Sequence, residues 1–123
     1  KIGQALRNII ENACKYSHQG QPVDIRCSMI DDWLRVSVID RGEGMETKTV
    51  TQIFKRYFRA EHGDTVPSGL GLGLGIALDI MRRHNGDITV SSKIGVGSQF
   101  TLHLTHELEG EIEERTEVRF VFL

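Results

Sequence analysis

Apolar residues at the start of the chain recur with the period of an α-helix. Ile2, Leu6, Ile9 and Ala13 fall on one face of such a helix, and this spacing predicts an amphipathic helix over residues 2–17. A polar segment containing glycine and proline follows and ends the pattern. The first element is therefore predicted to be a helix with one face on the core.

Apolar and polar residues alternate in the next two segments, as they do in half-buried strands. The segments are VDIRCSMI at residues 23–30 and WLRVSVID at residues 33–40. Asp31 and Asp32 between them suit a short turn. The pattern predicts a two-stranded hairpin.

The rest of the chain repeats these two kinds of pattern. Helical spacing returns twice, and Asn85 and Gly86 stop its second occurrence. The patterns predict helices over residues 46–58 and 74–85, a polar loop over residues 60–69, and strands over residues 87–92, 98–104 and 116–123. This order predicts an α+β two-layer sandwich, in which a mixed, mostly antiparallel sheet carries about three helices on one face.

Composition narrows the class of protein. The chain of 123 residues is the size of one domain, and its net charge of −2 gives no general attraction to nucleic acid or to an anionic membrane. It has no apolar run of about 18 residues, the length that spans a bilayer. We expect no nucleic-acid partner, no direct membrane contact and a cytoplasmic location, within a parent protein that can itself be membrane-anchored. Because the chain begins in helical rhythm without Met, we expect it to be a piece of something longer.

The two cysteines, Cys14 and Cys27, are far apart and lack the spacing of a zinc site or a disulfide framework. Both lie in segments with apolar periodicity. We predict that both are small, buried core residues in a reducing compartment.

Polar residues on the first predicted helix are unusual. Asn8, Asn12 and Lys15 share one helical face, and asparagine is a weak helix former. One interpretation is a solvated face. The other is a row of amide oxygens and an ammonium group facing a metal–phosphate ligand, because amide oxygens suit Mg²⁺.

Two glycine-rich stretches leave similar alternatives open. DRGEGM, at residues 40–45, is either a tight turn capped by Asp40 or a strand-end carboxylate that accepts a hydrogen bond from an amine such as that of adenine. SGLGLGLGI, at residues 68–76, has too much glycine for a strand and too much leucine for a linker. It fits best as a phosphate-binding loop that leads into the N-terminus of a helix.

Five motifs in a fixed order resemble one family. They are NIIENACKYS, DRGEGM, IFKRYFR, GLGLGI and RRHNGDITVSSKIGVGSQF. In type and order they are similar to the N, G1, F, G2 and G3 boxes of the catalytic and ATP-binding domain of sensor histidine kinases. These kinases belong to the GHKL ATPase superfamily, with its Bergerat-type nucleotide fold. The resemblance covers residues 1–104.

The resemblance implies residues for the phosphate end of bound ATP. Asn12 would hold Mg²⁺, with Asn8 beside it touching the metal or a phosphate. Lys15 and Tyr16 would line the phosphate and sugar side, and Arg59 would reach the terminal phosphate. The implied catalytic residues are Asn8, Asn12, Lys15 and Arg59.

The resemblance also implies residues for the adenine end. Asp40 would hydrogen-bond the amino group of adenine, and Gly42 and Gly44 would shape its pocket. Gly95 and Ser98 would close the pocket from the other side.

The family's mobile lid would lie at residues 60–68, after the F-box residues Phe54 and Phe58. The loop that follows the lid would bind the phosphates. Its implied ligand-binding residues are Gly69, Leu70, Gly71, Leu72, Gly73 and Leu74.

The function implied by the resemblance is that of a protein-histidine kinase catalytic domain. It would bind Mg²⁺ and ATP and present the γ-phosphate to a histidine on a separate dimerisation domain, through which a response regulator is reached. ATPases of the same superfamily use a glutamate where this chain has Asn8, which disfavours a self-sufficient ATPase. The alternatives are a degenerate nucleotide-binding sensor module and an anti-sigma-type serine kinase.

The resemblance places the catalytic domain at residues 1–106 and leaves residues 107–123 as an acidic connector and an extra strand of unknown role. The sequence HELEG, at residues 106–110, begins like a phosphoacceptor box but does not continue as one. We therefore do not expect the isolated chain to autophosphorylate.

Overall fold

The computed structural model describes residues 1–53, 72–105 and 117–120. Within these ranges the chain forms three helices and five strands. The helices are α1 (Ile2–Tyr16), α2 (Thr47–Val50) and α3 (Leu72–Arg83), and the strands are β1 (Val23–Ile30), β2 (Trp33–Ile39), β3 (Asp87–Lys93), β4 (Gly97–Thr105) and β5 (Glu117–Phe120).

The five described strands form one sheet in the order β3-β4-β2-β1-β5, and every neighbouring pair is antiparallel. The β1–β2 hairpin turns at Asp31 and Asp32, whose φ angles are 50° and 65°. Both lie in the left-handed region required by a two-residue type I′ turn, which aspartate tolerates better than most side chains. The hairpin predicted from the sequence is confirmed.

Helices α1 and α3 pack together and cover one face of the sheet, so the predicted two-layer sandwich is also confirmed. On α1 the buried residues are Ala5, Ile9 and Ala13, one helical turn apart. On each inner strand every second residue points to the helices, as the alternating burial along β2 shows. The largest fully buried side chains are those of Ile9, Ile53, Leu74, Met81, Leu102, Val23 and Val38.

The ends of α3 differ slightly from the prediction. It begins at Leu72, two residues earlier than expected, and ends at Arg83. Asn85 follows with a φ of 60°, and the N–H of Gly86 donates to the carbonyl oxygen of Met81 at 2.8 Å. A left-handed residue and a backward bond of this kind are a common way to end a helix.

The helix predicted over residues 46–58 is short where the structure describes it. Helix α2 ends at Val50, and turns follow through Ile53, whose side chain is 1% exposed. The remainder of the prediction lies outside the described residues.

The prediction that both cysteines are buried is wrong for Cys14. Cys14 is exposed and Cys27 is partly exposed, and both are free thiols. The buried stripe of α1 runs through Ala13, and the next residue is turned about 100° away from it.

None of the described helices combines the length and the hydropathy needed to cross a bilayer.

Strand β5 lies at the edge of the sheet beside β1. Val23 lies opposite Phe120 in the register and Arg26 lies opposite Glu117. The C-terminal segment therefore covers the first half of β1. A domain boundary between residues 106 and 107 stays a prediction.

Candidate functional site

A cavity of about 430 Å³ lies between the C-terminal end of α1 and the ends of β2 and β4 that face it. Its wall combines amide, charged, hydroxyl and apolar side chains, which suits a ligand with both an apolar and a charged part. The residues on the wall are Asn12, Lys15, Tyr16, His18, Asp40, Glu43, Gly44, Met45, Ser98 and Phe100.

Asp40 follows β2 directly and is only 6% exposed. Its backbone N–H donates to the carbonyl oxygen of Ser98 at 2.9 Å. Its Oδ1 accepts two backbone N–H bonds, from Gly42 at 3.0 Å and from Ser98 at 3.2 Å. These bonds fix the carboxylate on the cavity wall and leave Oδ2 able to accept a bond from a ligand.

The charge on Asp40 is held in a poorly hydrated place. Burial raises the pKa of Asp40 above its ordinary value, while the N–H groups of Gly42 and Ser98 and the charge of His18 oppose that shift. A carboxylate in such surroundings forms a stronger hydrogen bond to a ligand than one in water does.

The glycines around Asp40 are required by close packing. A side chain at Gly42 would collide with the carbonyl oxygen of Tyr16 at the end of α1. A side chain at Gly44, whose φ is +73°, would collide with the carbonyl oxygen of Lys93. The turn is thus pressed between α1 and the β3–β4 hairpin, and this packing explains the spacing of its two glycines.

Helix α1 brings Asn12, Lys15 and Tyr16 to the cavity. The amide nitrogen of Asn12 is buried and has no hydrogen-bond partner among the described residues. A buried polar atom without a partner is costly, so it marks a place where a ligand would complete the bonding. The Lys15 ammonium lies 5.9 Å from the centre of the Tyr16 ring, and burial raises the pKa of Tyr16.

Asn8 lies one turn before Asn12, away from the cavity wall. Its amide nitrogen donates to the carbonyl oxygen of Gly73 at 3.1 Å. The bond ties the middle of α1 to the first turn of α3. The structure therefore places Asn8 and Gly73 together, at the junction of the two helices.

Other residues implied by the resemblance lie elsewhere. Leu74 is fully buried in the core. The N–H of Gly95, whose φ is +81°, donates to the carbonyl oxygen of Glu43 at 2.8 Å and so supports the turn from outside the wall. Leu72 is the first residue of α3. Outside the described residues lie Phe54, Phe58, Arg59, the lid at residues 60–68, Gly69, Leu70 and Gly71.

Four residues of the wall were missed in the sequence. His18 is exposed on the wall two residues after Tyr16. Glu43 and Met45 alternate with the glycines of the turn, and strand alternation places Phe100 on the same face as Ser98. For Glu43, Met45 and Phe100 the available signal was their position within the motifs, whereas His18 follows the first motif directly.

Ser92 is a further residue that sequence reasoning missed. Its hydroxyl accepts the N–H of Met45 at 2.8 Å and lies 2.7 Å from the hydroxyl of Ser98. It also lies 3.1 Å from the carbonyl oxygen of Gly97, to which it can donate. This network fastens the turn after Asp40 to the β3–β4 hairpin.

The sequence and the fold are similar to those of one known family. The sequence matches the family described as histidine kinase-, DNA gyrase B-, and HSP90-like ATPase over residues 1–108. The chain belongs to this family. Within it, the chain is an ATP-binding catalytic domain of the histidine kinase type, since its relatives and structural neighbours are sensor histidine kinases.

Two relatives illustrate the similarity. Sensor histidine kinase WalK of Bacillus subtilis (strain 168) is 40% identical over 114 residues, which cover 90% of this chain and 19% of that protein. Histidine protein kinase SaeS of Staphylococcus aureus (strain USA300) is 37% identical over 111 residues, or 88% of this chain and 31% of that protein. The chain thus spans less than a third of the length of either relative.

Solved structures resemble the fold as well. The mycobacterial sensor histidine kinase MprB superposes with a TM-score of 0.69 at 28% identity, over 84% of this chain and 70% of that one. Full-length ShkA, solved in complex with AMPPNP, superposes with a TM-score of 0.67 at 29% identity, over 82% of this chain and 20% of that one.

Proposed function

We propose that the chain binds ATP together with Mg²⁺ in the cavity beside Asp40 and presents the γ-phosphate to a histidine on a separate dimerisation domain of its parent protein. A response regulator would then receive the phosphoryl group from that histidine. The observation that carries the proposal is the carboxylate of Asp40, buried and fixed by two backbone N–H groups through one oxygen.

The adenine end of the nucleotide fits the inner part of the cavity. The exocyclic amine of adenine is a donor, and Oδ2 of Asp40 is an acceptor with no hydrogen bond to another described residue. Met45 and Phe100 supply apolar surface for the ring on the same wall. A volume of about 430 Å³ is within the usual range for small-molecule sites.

The phosphate end fits the polar face of α1. Among the described residues no group of three or more acidic, histidine or cysteine side chains could hold a metal alone. Mg²⁺ that is bound mainly through phosphates needs only one or two protein oxygens. The Asn12 amide suits this role, because its nitrogen has no partner among the described residues and the group can therefore turn its oxygen to a cation. When bound, Mg²⁺ would neutralise phosphate charge, and the Lys15 ammonium would add to this.

Asn8 favours transfer to another protein over hydrolysis. A hydrolase needs a base that accepts a proton from water, and an amide cannot do so. The Asn8 amide nitrogen is instead bonded to Gly73. The two carboxylates on the described wall are Asp40 and Glu43, and both belong to the turn after β2 rather than to α1.

The proposal is tested by calorimetric titration of the chain with ATP and Mg²⁺. We expect micromolar binding by the natural chain and a loss of at least about tenfold in Asp40→Asn, because an amide offers the adenine amine no charged acceptor. The matched control is Asp79→Asn, the same change on an exposed part of α3, which should leave affinity unchanged. A folded chain that does not bind ATP would contradict the proposal.

A further inference from the structure

The turn that carries Asp40 is also fastened away from the cavity. Arg41, the next residue, donates from Nη2 to Oδ2 of Asp24 at 3.3 Å. The side chain of Asp24 is 4% exposed, whereas that of Arg41 is 41% exposed. A buried carboxylate on β1 therefore holds the residue beside the candidate adenine-binding carboxylate.

Asp24 lies between two neighbouring strands of the sheet. In the register it is opposite Ile39 of β2 on one side and opposite Arg119 of β5 on the other. Ile39 is the last residue of β2 and directly precedes Asp40. Asp24 therefore lies beside the point where β2 ends and the turn that carries Asp40 begins.

The same turn is also held by the end of α1. Ser17 and Gly42 form an isolated antiparallel bridge, and the backbone N–H of Arg41 lies 3.5 Å from Oγ of Ser17. Ser98 fixes Asp40 itself from the β4 side. The Asp24 contact supports the turn from the β1 side, through the side chain of Arg41.

We propose that the Asp24–Arg41 ion pair positions Asp40 and thereby sets how strongly the site distinguishes adenine from a base without the exocyclic amine. The inference rests on the proposed function. Neither Asp24 nor Arg41 is on the cavity wall, so both are positioning residues. An ion pair to a buried carboxylate often adds little net stability and can instead fix one arrangement of the chain.

The test measures discrimination between two nucleotides. The natural 123-residue chain and the variants Asp24→Asn, Arg41→Gln and the double variant are titrated with the Mg²⁺ complexes of ATP and of inosine triphosphate. Inosine carries a carbonyl oxygen where adenine carries the amine. We expect the natural chain to prefer ATP, and each single variant to lower that preference by about three- to tenfold through weaker ATP binding.

The double variant keeps the test decisive if a single variant unfolds. Removing one partner of an ion pair leaves its charge less well compensated than removing both partners does. The double variant should therefore melt close to the natural chain, while its preference for ATP falls by about as much as in the single variants. The matched control is the exposed pair Arg83–Asp79, at 3.0 Å, whose neutralisation by Arg83→Gln and Asp79→Asn should leave the preference unchanged.

The outcomes separate the inference from the function on which it rests. If Asp40→Asn abolishes the preference for ATP while the variants at Asp24 and Arg41 retain it, the inference is wrong and the proposed function stands. Equal weakening of both nucleotides, with an unchanged ratio, would show a merely structural pair and also overturn the inference. If the natural chain binds neither nucleotide, the proposed function fails and the inference fails with it.

Discussion

Asp40 lies at a position where burial disfavours its charged form and raises its pKa. A carboxyl group whose pKa is raised by folding holds its proton more tightly in the folded chain than in the unfolded one. Its contribution to stability is fully present below the unfolded pKa and is lost as pH rises through the folded pKa. At neutral pH a charge on Asp40 therefore destabilises the fold. Such a cost is expected of a residue whose charge serves to bind a ligand.

The variant Asp40→Asn should separate stability from binding. Asparagine keeps an oxygen that can accept the N–H bonds of Gly42 and Ser98, and it removes the buried charge. We expect the free energy of unfolding at neutral pH, measured by urea denaturation, to be unchanged or higher. The difference from the natural chain should shrink at acidic pH, where Asp40 is protonated. A loss of more than about 1 kcal/mol would contradict this account of the charge.

Nucleotide binding should weaken at acidic pH in a way that depends on His18. Because the pKa of Asp40 is raised, its protonation begins at a higher pH than for an ordinary aspartate. The charge of His18 opposes that rise, so His18→Gln should move the acid limb of ATP affinity to a still higher pH. Calorimetric titrations across pH check this, with His84→Gln as the control outside the cavity. The nucleotide's own titration is common to all three proteins and cancels in the comparison.

At the scale of elements, α1 combines three roles. Its apolar stripe packs in the core, its C-terminal turn lines the cavity, and Asn8 between them holds α3. The position of the N-terminus of α3 relative to the cavity therefore depends on α1.

The substitution Asn8→Asp should loosen this junction. It replaces the donating amide with an oxygen that faces the carbonyl oxygen of Gly73. We expect a loss of about 1–2 kcal/mol in the free energy of unfolding, measured without nucleotide. The same change at exposed Asn85 is the control and should cost much less. Equal stability of the two variants would show that the Asn8 bond is unimportant.

The edge strand β5 should contribute to stability. Deleting residues 107–123 would expose the edge of β1 from Val23 to Arg26 and remove the backbone pairing there. We expect the melting temperature to fall by several degrees, since about 1 kcal/mol corresponds to about 4 °C in a domain between the small and the large size classes. Deletion of residues 121–123 alone is the control. An unchanged melting temperature after the longer deletion would mean that β5 does not stabilise the sheet.

Local patterns were sufficient to predict most described elements. The apolar period of α1 and the alternation in β1 to β4 each concern residues that are close in sequence. The exposure of Cys14 was not predicted, because Cys14 directly follows Ala13 of the buried stripe. The apolar residues nearby did not show where the buried face of the helix ends. The burial of Asp24 was not predicted either, because it depends on which strands flank β1.

The candidate site was predicted unevenly for a similar reason. Asp40, Ser98 and Asn12 were found because they belong to motifs with a fixed order, and all three lie on the cavity wall. The contact between Asn8 and Gly73 joins residues 65 positions apart and could not be inferred from spacing. The approach of His18 to Asp40 is likewise set by how α1 meets the sheet.

At the scale of the whole molecule, the proposed reaction needs a second domain. The chain corresponds to 19% of WalK and 31% of SaeS, so much of either relative lies outside the matched region. Catalysis by the domain itself would consist of positioning the nucleotide and neutralising its charge.

Phosphotransfer should therefore depend on an added acceptor. With radiolabelled ATP and Mg²⁺, we expect the chain alone to gain no stable label, and the histidine-bearing dimerisation domain of the parent protein to become labelled when it is supplied. The label should be acid-labile, as phosphohistidine is, and Asp40→Asn should greatly reduce it. An acid-stable label would indicate a serine kinase, and bound ATP with no transfer to that domain would indicate a degenerate sensor module.

The sharing of one carboxylate oxygen by two backbone donors has a spectroscopic consequence. Gly42 lies in the turn after β2 and Ser98 lies in β4, yet the N–H groups of both point at Oδ1 of Asp40. Their amide proton resonances should shift together when Asp40 gains a proton, and together again when a ligand draws on the same carboxylate. The protein thus carries two intrinsic NMR reporters of its own buried charge, which can be followed at each amide without any label on the nucleotide.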